Sequence, residues 1–214
     1  MRTETTTRPL YTFAELSPEA QARAVADARD DPDMFWVEHL TEEFAECLAA
    51  CGFTVDKLRG ARTRPAIVWS GFWSQGDGAG FAASWRAEDC KPAAWLLDRP
   101  VSYTRDGVTH ECPHNKRWHA AVRRVVALAT EYPASYGGVA LGRGNTMRVD
   151  QFNDNEHGAD EDTGEDAFKD ACESLADAFY RVLETEYDYI TSAECAREWL
   201  ENSDGEFTAE GVRA

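Results

Sequence analysis

The 214-residue chain is long for one domain and short for two, and its seven Trp, ten Phe and seven Tyr suffice for a sizeable core. That content of large apolar side chains excludes disorder along the whole length. The formal net charge of −17 is unevenly placed: residues 1–149 carry 19 acidic and 18 basic side chains, whereas 150–214 carry 20 acidic ones against Lys169, Arg181, Arg197 and Arg213. Acidity this local argues against adaptation to high salt, and it repels phosphates, so no direct nucleic-acid binding is expected of the C-terminal third.

The first eight residues, Met1 to Arg8, hold no apolar stretch of signal-peptide type. No apolar run approaches the roughly 18 residues that span a bilayer. A cytoplasmic protein without a membrane partner is expected, with its six Cys (47, 51, 90, 112, 172 and 195) as reduced thiols.

Leu10 to Phe13 alternates like a strand. Ser17 then reads as an N-cap with Pro18 at N1, opening a helix to about Arg29 that Asp30, Asp31, Pro32 and Asp33 break. A second helix places Val37, Leu40, Phe44, Cys47, Leu48 and Cys51 on one face and stops at Gly52. Cys47 and Cys51 read as small core side chains. After a short basic stretch (Lys57, Arg59, Arg62, Arg64), strands are expected at 66–72 and 80–85, joined by the polar turn Ser74-Gln75-Gly76-Asp77-Gly78. Residues 101–104 and 108–110 flank Arg105-Asp106-Gly107, a second hairpin signal. A helix follows at about 116–132, then a third hairpin, 139–141 with 147–149, around Gly142-Arg143-Gly144-Asn145. Phe168, Cys172, Leu175, Phe179, Val182 and Leu183 recur at helix spacing over about 165–186, and Thr191 or Ser192 caps a last short helix that ends near Gly205. The order implies one α+β domain over 1–214, with an antiparallel sheet of about five strands and helices packed on one of its faces.

Three patterns point to chemistry. His110-Glu111-Cys112-Pro113-His114 has the HExxH spacing, but Pro113 removes a backbone donor and disfavours the helix that zinc proteases need. A looser metal site would draw on His110, Cys112, His114 and His119, with Cys90; solvent-facing histidines near a helix start are the plainer reading. Ser74 to Gly80 is glycine-rich, yet a strand follows it and it holds no Lys or Arg, so a demanding turn is expected, not a phosphate cradle. Trp69, Trp73 and Trp85 flank that turn, which makes Trp73, Gln75 and Asp77 a candidate aromatic recognition patch. The acid-rich 150–166 stretch matches no EF-hand register. No metal or other cofactor is expected.

The third pattern is the acidic end. Asp160, Glu161 and Asp162 lead into the long helix, where Asp166, Asp170, Glu173, Asp177, Glu184 and Asp188 fall roughly on one face opposite the Phe168–Phe179 stripe. Like charges at i,i+4 cost about 0.2–0.5 kcal/mol per pair, so the ridge is tolerated by folding but not required for it. A solvated face explains it, and so does a surface that docks on a basic protein or imitates a phosphate backbone.

Tyr11 to Gln21, Ser70-Gly71-Phe72-Trp73-Ser74-Gln75-Gly76-Asp77-Gly78-Ala79, and Tyr187 to Ser192 with Gly205 to Thr208 together carry a resemblance. The chain resembles uncharacterised proteins encoded by bacteriophages and prophages, some labelled antitoxin-like, over most of its length. The resemblance implies a phage accessory protein in a bacterial cytoplasm and assigns no activity or catalytic residue. The leading expectation is a non-enzymatic, phage-encoded protein that binds and inhibits a host protein of basic surface, one of the defence against phage, through an acidic, DNA-mimicking surface of Asp160, Glu161, Asp162, Asp166, Asp170, Glu173, Asp177 and Glu184. The alternatives are an antitoxin or regulator acting through the Trp73–Asp77 loop, and a metalloprotein or enzyme centred on His110–His119.

Overall fold

The computed structural model describes residues 8–30, 35–60, 62–92, 96–97, 102–105, 108–111, 113–142, 145–153 and 161–214. The chain packs as two compact units, one of residues 35–184 and a smaller one of residues 1–34 with 185–214.

In the larger unit, α2 (Phe35–Ala50) runs directly into β1 (Cys51–Val55). β2 (Ile67–Ser70) and β3 (Gly78–Phe81) follow, then β4 (Ala83–Cys90), β5 (Ser102–Arg105) and β6 (Val108–Glu111). α3 (Pro113–Glu131), β7 (Tyr136–Leu141), β8 (Met147–Asn153) and α4 (Glu161–Ile190) complete it, the last residues of α4 belonging to the smaller unit. The main sheet has four antiparallel strands in the order β1-β4-β7-β8, and β2-β3 and β5-β6 form separate two-stranded sheets. The α+β class and the three hairpins stand as expected, with four strands in the main sheet where about five were expected.

Two elements also differ from their expected bounds. Ala82 divides the expected 80–85 strand, because its N–H donates to the Ala66 carbonyl and its carbonyl accepts from Asp56, which turns the chain from β3 into β4. Gly52, expected only as a helix stop, has φ +87 and sits within β1, where a Cβ would lie 2.6 Å from the Arg86 carbonyl oxygen. Cys51 accordingly belongs to β1 and not to the end of α2.

One face of the sheet is covered. Phe53, Trp85, Gly137 and Phe152 are successive cross-strand partners, and Phe168 of α4 lies over them, its ring centre 5.4 Å from that of Trp85 and 5.5 Å from that of Phe152. Thr54, Ser84, Arg86 and Gln151, on the alternate positions, are exposed. Phe44 of α2 joins the three helices, stacked on Phe179 of α4 at 4.3 Å and edge-on to Trp118 of α3 at 6.0 Å. The stripe expected on α4 is the buried one: Phe168, Cys172, Leu175, Phe179 and Leu183 are each at most 2 % exposed.

The smaller unit is built on α1 (Pro18–Asp30) and α5 (Ala193–Asn202), whose contact buries Ala20, Ala24, Val25, Ala196 and Leu200 with Phe13, Leu16 and Phe207. Ser17 Oγ accepts from the Ala20 N–H and Ser192 Oγ from the Cys195 N–H, the capping expected of both. The strand-like Leu10–Phe13 segment makes only a single bridge, Tyr11 with Phe207, before a 3-10 turn at Phe13–Glu15.

Candidate functional site

The Ser70–Gly78 connection between β2 and β3 is a built loop. Its backbone must reverse within a few residues, and Gly71 does so at φ +32. The Asp77 carboxylate then closes it, accepting the Trp73 N–H at 2.7 Å and the Ser74 N–H at 2.5 Å, while the Asp77 N–H donates to the Ser74 carbonyl at 3.1 Å. Behind the loop, Phe72 stacks on Trp69 at 5.4 Å and meets Tyr180 of α4 at 5.7 Å. The Tyr180 hydroxyl donates to the Gly71 carbonyl at 3.0 Å. Burial, with Glu184 and Asp77 nearby, raises the Tyr180 phenol above its ordinary value and keeps that donor in place. Trp73 is thereby held outward with 79 % of its surface exposed, against a half-buried Phe72 on one side.

The loop forms one wall of a groove of about 390 Å³. Asp77, Gly78 and Ala79 line that wall, the β7–β8 turn contributes Asn145, Thr146 and Met147, and α4 contributes Lys169, Glu173, Ala176, Asp177, Tyr180 and Arg181. Asn145 Nδ2 also donates to Ser70 Oγ, tying the β7–β8 turn to the loop's base. Of the two surfaces that the sequence offers separately, Asp77 of the loop and Glu173 and Asp177 of the acidic helix share this groove, whereas Trp73, Gln75, Asp166, Asp170 and Glu184 do not line it.

The acidic helix is not uniformly bare. Asp177 lies 3.2 Å from Arg117 of α3 and 3.5 Å from Arg181, whose guanidinium also bonds Glu184 at 2.7 Å. These pairs are partly exposed and individually worth at most about 1 kcal/mol, but they cancel charge. Asp166, Asp170 and Glu173 are exposed and take part in no ion pair among the described residues. Arg124 of α3 donates to Ser174 at 3.0 Å, so α3 and α4 run antiparallel with a basic row beside the acidic one. Sequence reading missed this row, although Arg117 and Arg124 stand seven apart, on one helix face. It also missed Asn145 and Tyr180, whose place depends on the packing of distant segments.

Gln75 is exposed at the loop's tip. Asp160 lies outside the described residues, and Glu161 and Asp162 are placed only as backbone in the first turn of α4.

The histidine cluster is divided by secondary structure. His110 and Glu111 end β6 and Pro113 opens α3, so His110 and His114 do not share a helical turn; Cys112 lies outside the described residues. His119 is buried, at 6 % exposure. Among the described residues no three His, Cys, Asp or Glu side chains are grouped to hold a metal ion. Cys47 and Cys51 are buried in the core, and burial is the main cause that raises both thiols, Cys51 to about 12. Such thiols pack as small apolar groups. Among the described residues no helix is long and apolar enough to cross a membrane.

The groove offers the carboxylates of Asp77, Glu173 and Asp177, the Asn145 amide and the Tyr180 phenol, together with the cations Lys169 and Arg181. Comparison with curated proteins and with solved structures returns no match. Residues 36–193 match the family described as a domain of unknown function, DUF8835, and since this is well over half of the chain, the protein belongs to that family.

Proposed function

We propose that the chain is a non-enzymatic, phage-encoded binding protein that inhibits a host protein, one of the defence against phage, by docking on its basic surface. The observation that carries this reading is the exposed acidic face of α4, where Asp166, Asp170 and Glu173 point outward and Glu173 shares a groove with Asp77 of the β2–β3 loop. The confinement of the net charge to 150–214 supports it as well, and the phage setting rests on the resemblance of the three sequence stretches. The outward acids Asp166, Asp170 and Glu173 carry the attraction; Asp177 and Glu184 are partly neutralised by Arg117 and Arg181.

Charge density favours docking on a protein over imitation of a long DNA segment. A DNA strand carries one phosphate per about 3.4 Å, whereas carboxylates three or four residues apart on a helix recur every ~4.5–6 Å. Three outward acids cover only a short footprint. Long-range attraction of this kind speeds association and falls steeply with salt.

The test is to capture the partner from host lysate at low and moderate salt, identify it, and measure its affinity for a variant carrying Asp166→Lys, Asp170→Lys and Glu173→Lys. A loss of tenfold or more is expected, with a flatter salt dependence. Unchanged affinity removes the acidic surface from the interface. The antitoxin or regulator reading is favoured by the 79 % exposure of Trp73, and under it Trp73→Ala weakens the captured complex more than the triple reversal does.

A further inference from the structure

We infer that Cys51 and Cys90 are a reversible cross-strand disulfide site, closed by exchange with a small-molecule disulfide, which clamps the edge strand β1 onto β4.

Cys51 of β1 and Cys90 of β4 are antiparallel cross-strand partners. The Lys91 N–H donates to the Ala50 carbonyl at 3.0 Å, one residue beyond the pair on each strand. A bond in that position makes Cys51 and Cys90 a pair of the non-hydrogen-bonded kind. In such pairs the Cα atoms stand about 4.5 Å apart and the side chains, on the same face of the sheet, approach more closely than at the alternate positions. A disulfide needs Cα atoms roughly 4.4–6.8 Å apart, so rotation of the two thiols brings them into bonding range. The Cys51 backbone is also held from the core, because its carbonyl accepts the Trp85 Nε1–H at 3.0 Å. The two thiols sense each other: burial first, and then the charge of Cys90, raise Cys51 to about 12.

Access orders the chemistry. Cys51 is fully buried and Cys90 half-buried, so exchange begins at Cys90. The Cys90 thiolate attacks one sulfur of the small disulfide, forming a mixed disulfide and releasing one small thiolate. Cys51 gives up its proton and attacks the Cys90 sulfur; the Cys51–Cys90 bond forms as the mixed disulfide breaks, and the second small thiolate leaves. The two protein thiols lose two electrons, and the small disulfide takes them up as it becomes two thiols. Cys47 is the rival partner for Cys51, but at 1 % exposure it cannot be the thiol that meets the small disulfide first. The bond would matter mechanically. β1 pairs within its sheet only with β4, and α2 runs directly into it, so one crosslink fixes an edge strand and the helix behind it. Closing the chain between positions 51 and 90 also restricts the unfolded state.

The test incubates the reduced full chain, natively folded, with excess glutathione disulfide, traps the remaining thiols with iodoacetamide and maps linkages by non-reducing peptide mass spectrometry. A single intramolecular linkage, Cys51 to Cys90, is expected in most chains, together with a urea midpoint above that of the reduced protein. Dithiothreitol should return the midpoint to the reduced value. Cys90→Ser, changed at a half-buried position, should fold, form no linkage at Cys51 and keep one midpoint in both buffers. Oxidation through global unfolding would instead scramble the linkages among the buried thiols. The inference is overturned if Cys90 stays free or capped by glutathione, if Cys51 or Cys90 is found joined to any other cysteine or to a second chain, or if the linked protein unfolds at the reduced midpoint.

Discussion

Asp77 does two jobs with one carboxylate, accepting from Trp73 and Ser74 while its flank faces the groove. Asp77→Ala removes the carboxylate oxygen that accepts both bonds and should cost about 1–3 kcal/mol of loop stability. The measurement is hydrogen exchange, with the Trp73 and Ser74 amides expected to lose protection while the β4 and β7 amides keep theirs. A second single-residue constraint lies under α4. Gly137 stands between Trp85 and Phe152 in the sheet, and a Cβ there would come within 2.9 Å of two ring atoms of Phe168. The aromatic layer needs the gap that glycine leaves. Gly137→Ala should therefore destabilise the larger unit by about 1–3 kcal/mol through overpacking, read as a lower urea midpoint.

Among the elements, α4 shows how one helix divides its duties. Its Phe168–Leu183 stripe is buried in the core, and its opposite face carries the acids, paired near Asp177 and outward from Asp166 to Glu173. The Arg117–Asp177 pair is about half exposed on both sides, so Arg117→Ala should cost no more than about 1 kcal/mol. In the smaller unit α5 depends on a single side-chain cap. Ser192→Ala leaves the Cys195 N–H without its acceptor and should cost about 1 kcal/mol, measured by urea unfolding. The 3-10 turn before α1 has a pH dependence of known sign. Hydrogen bonds from the Thr12 N–H and hydroxyl lower the Glu15 carboxyl below its ordinary 4.5. Its contribution is present above that ordinary value and is lost as pH falls through the depressed one. Chemical shifts of Thr12 should follow this titration, and Glu15→Gln should abolish it.

For the whole molecule, the chain divides into two compact units of unequal size. Their thiols report on each separately. Cys47, Cys51 and Cys172 are buried in the larger unit with raised pKa values, burial being the main cause, whereas Cys195 in the smaller unit is half-buried. Alkylation of the native protein at mildly alkaline pH, mapped by peptide mass spectrometry, should label Cys195 early and the three buried thiols only at the rate of unfolding. Early labelling of Cys47 or Cys172 would contradict their place in the core.

Local chemistry determined much of this architecture. Ser17-Pro18 and Ser192 start helices because their oxygens meet backbone donors two or three residues on, and the Phe168–Leu183 spacing marks a buried stripe wherever the helix packs. The three hairpins follow from polar and glycine-rich turns between β-forming runs. Long-range contact decided the rest. Nothing near Ala82 in sequence shows that its backbone bonds Ala66 and Asp56 and so separates β3 from β4. Gly52 reads as a helix stop until Arg86 is brought against it. The groove is the clearest case: Asp77, Asn145 and Glu173 lie far apart along the chain, and only packing of the loop, the β7–β8 turn and α4 brings them together. The sequence alone determined which side chains are acidic or aromatic and which helix face they occupy; tertiary structure decided which acids are neutralised by arginines and which share a groove with Asp77, because pairing depends on distances that no local pattern encodes.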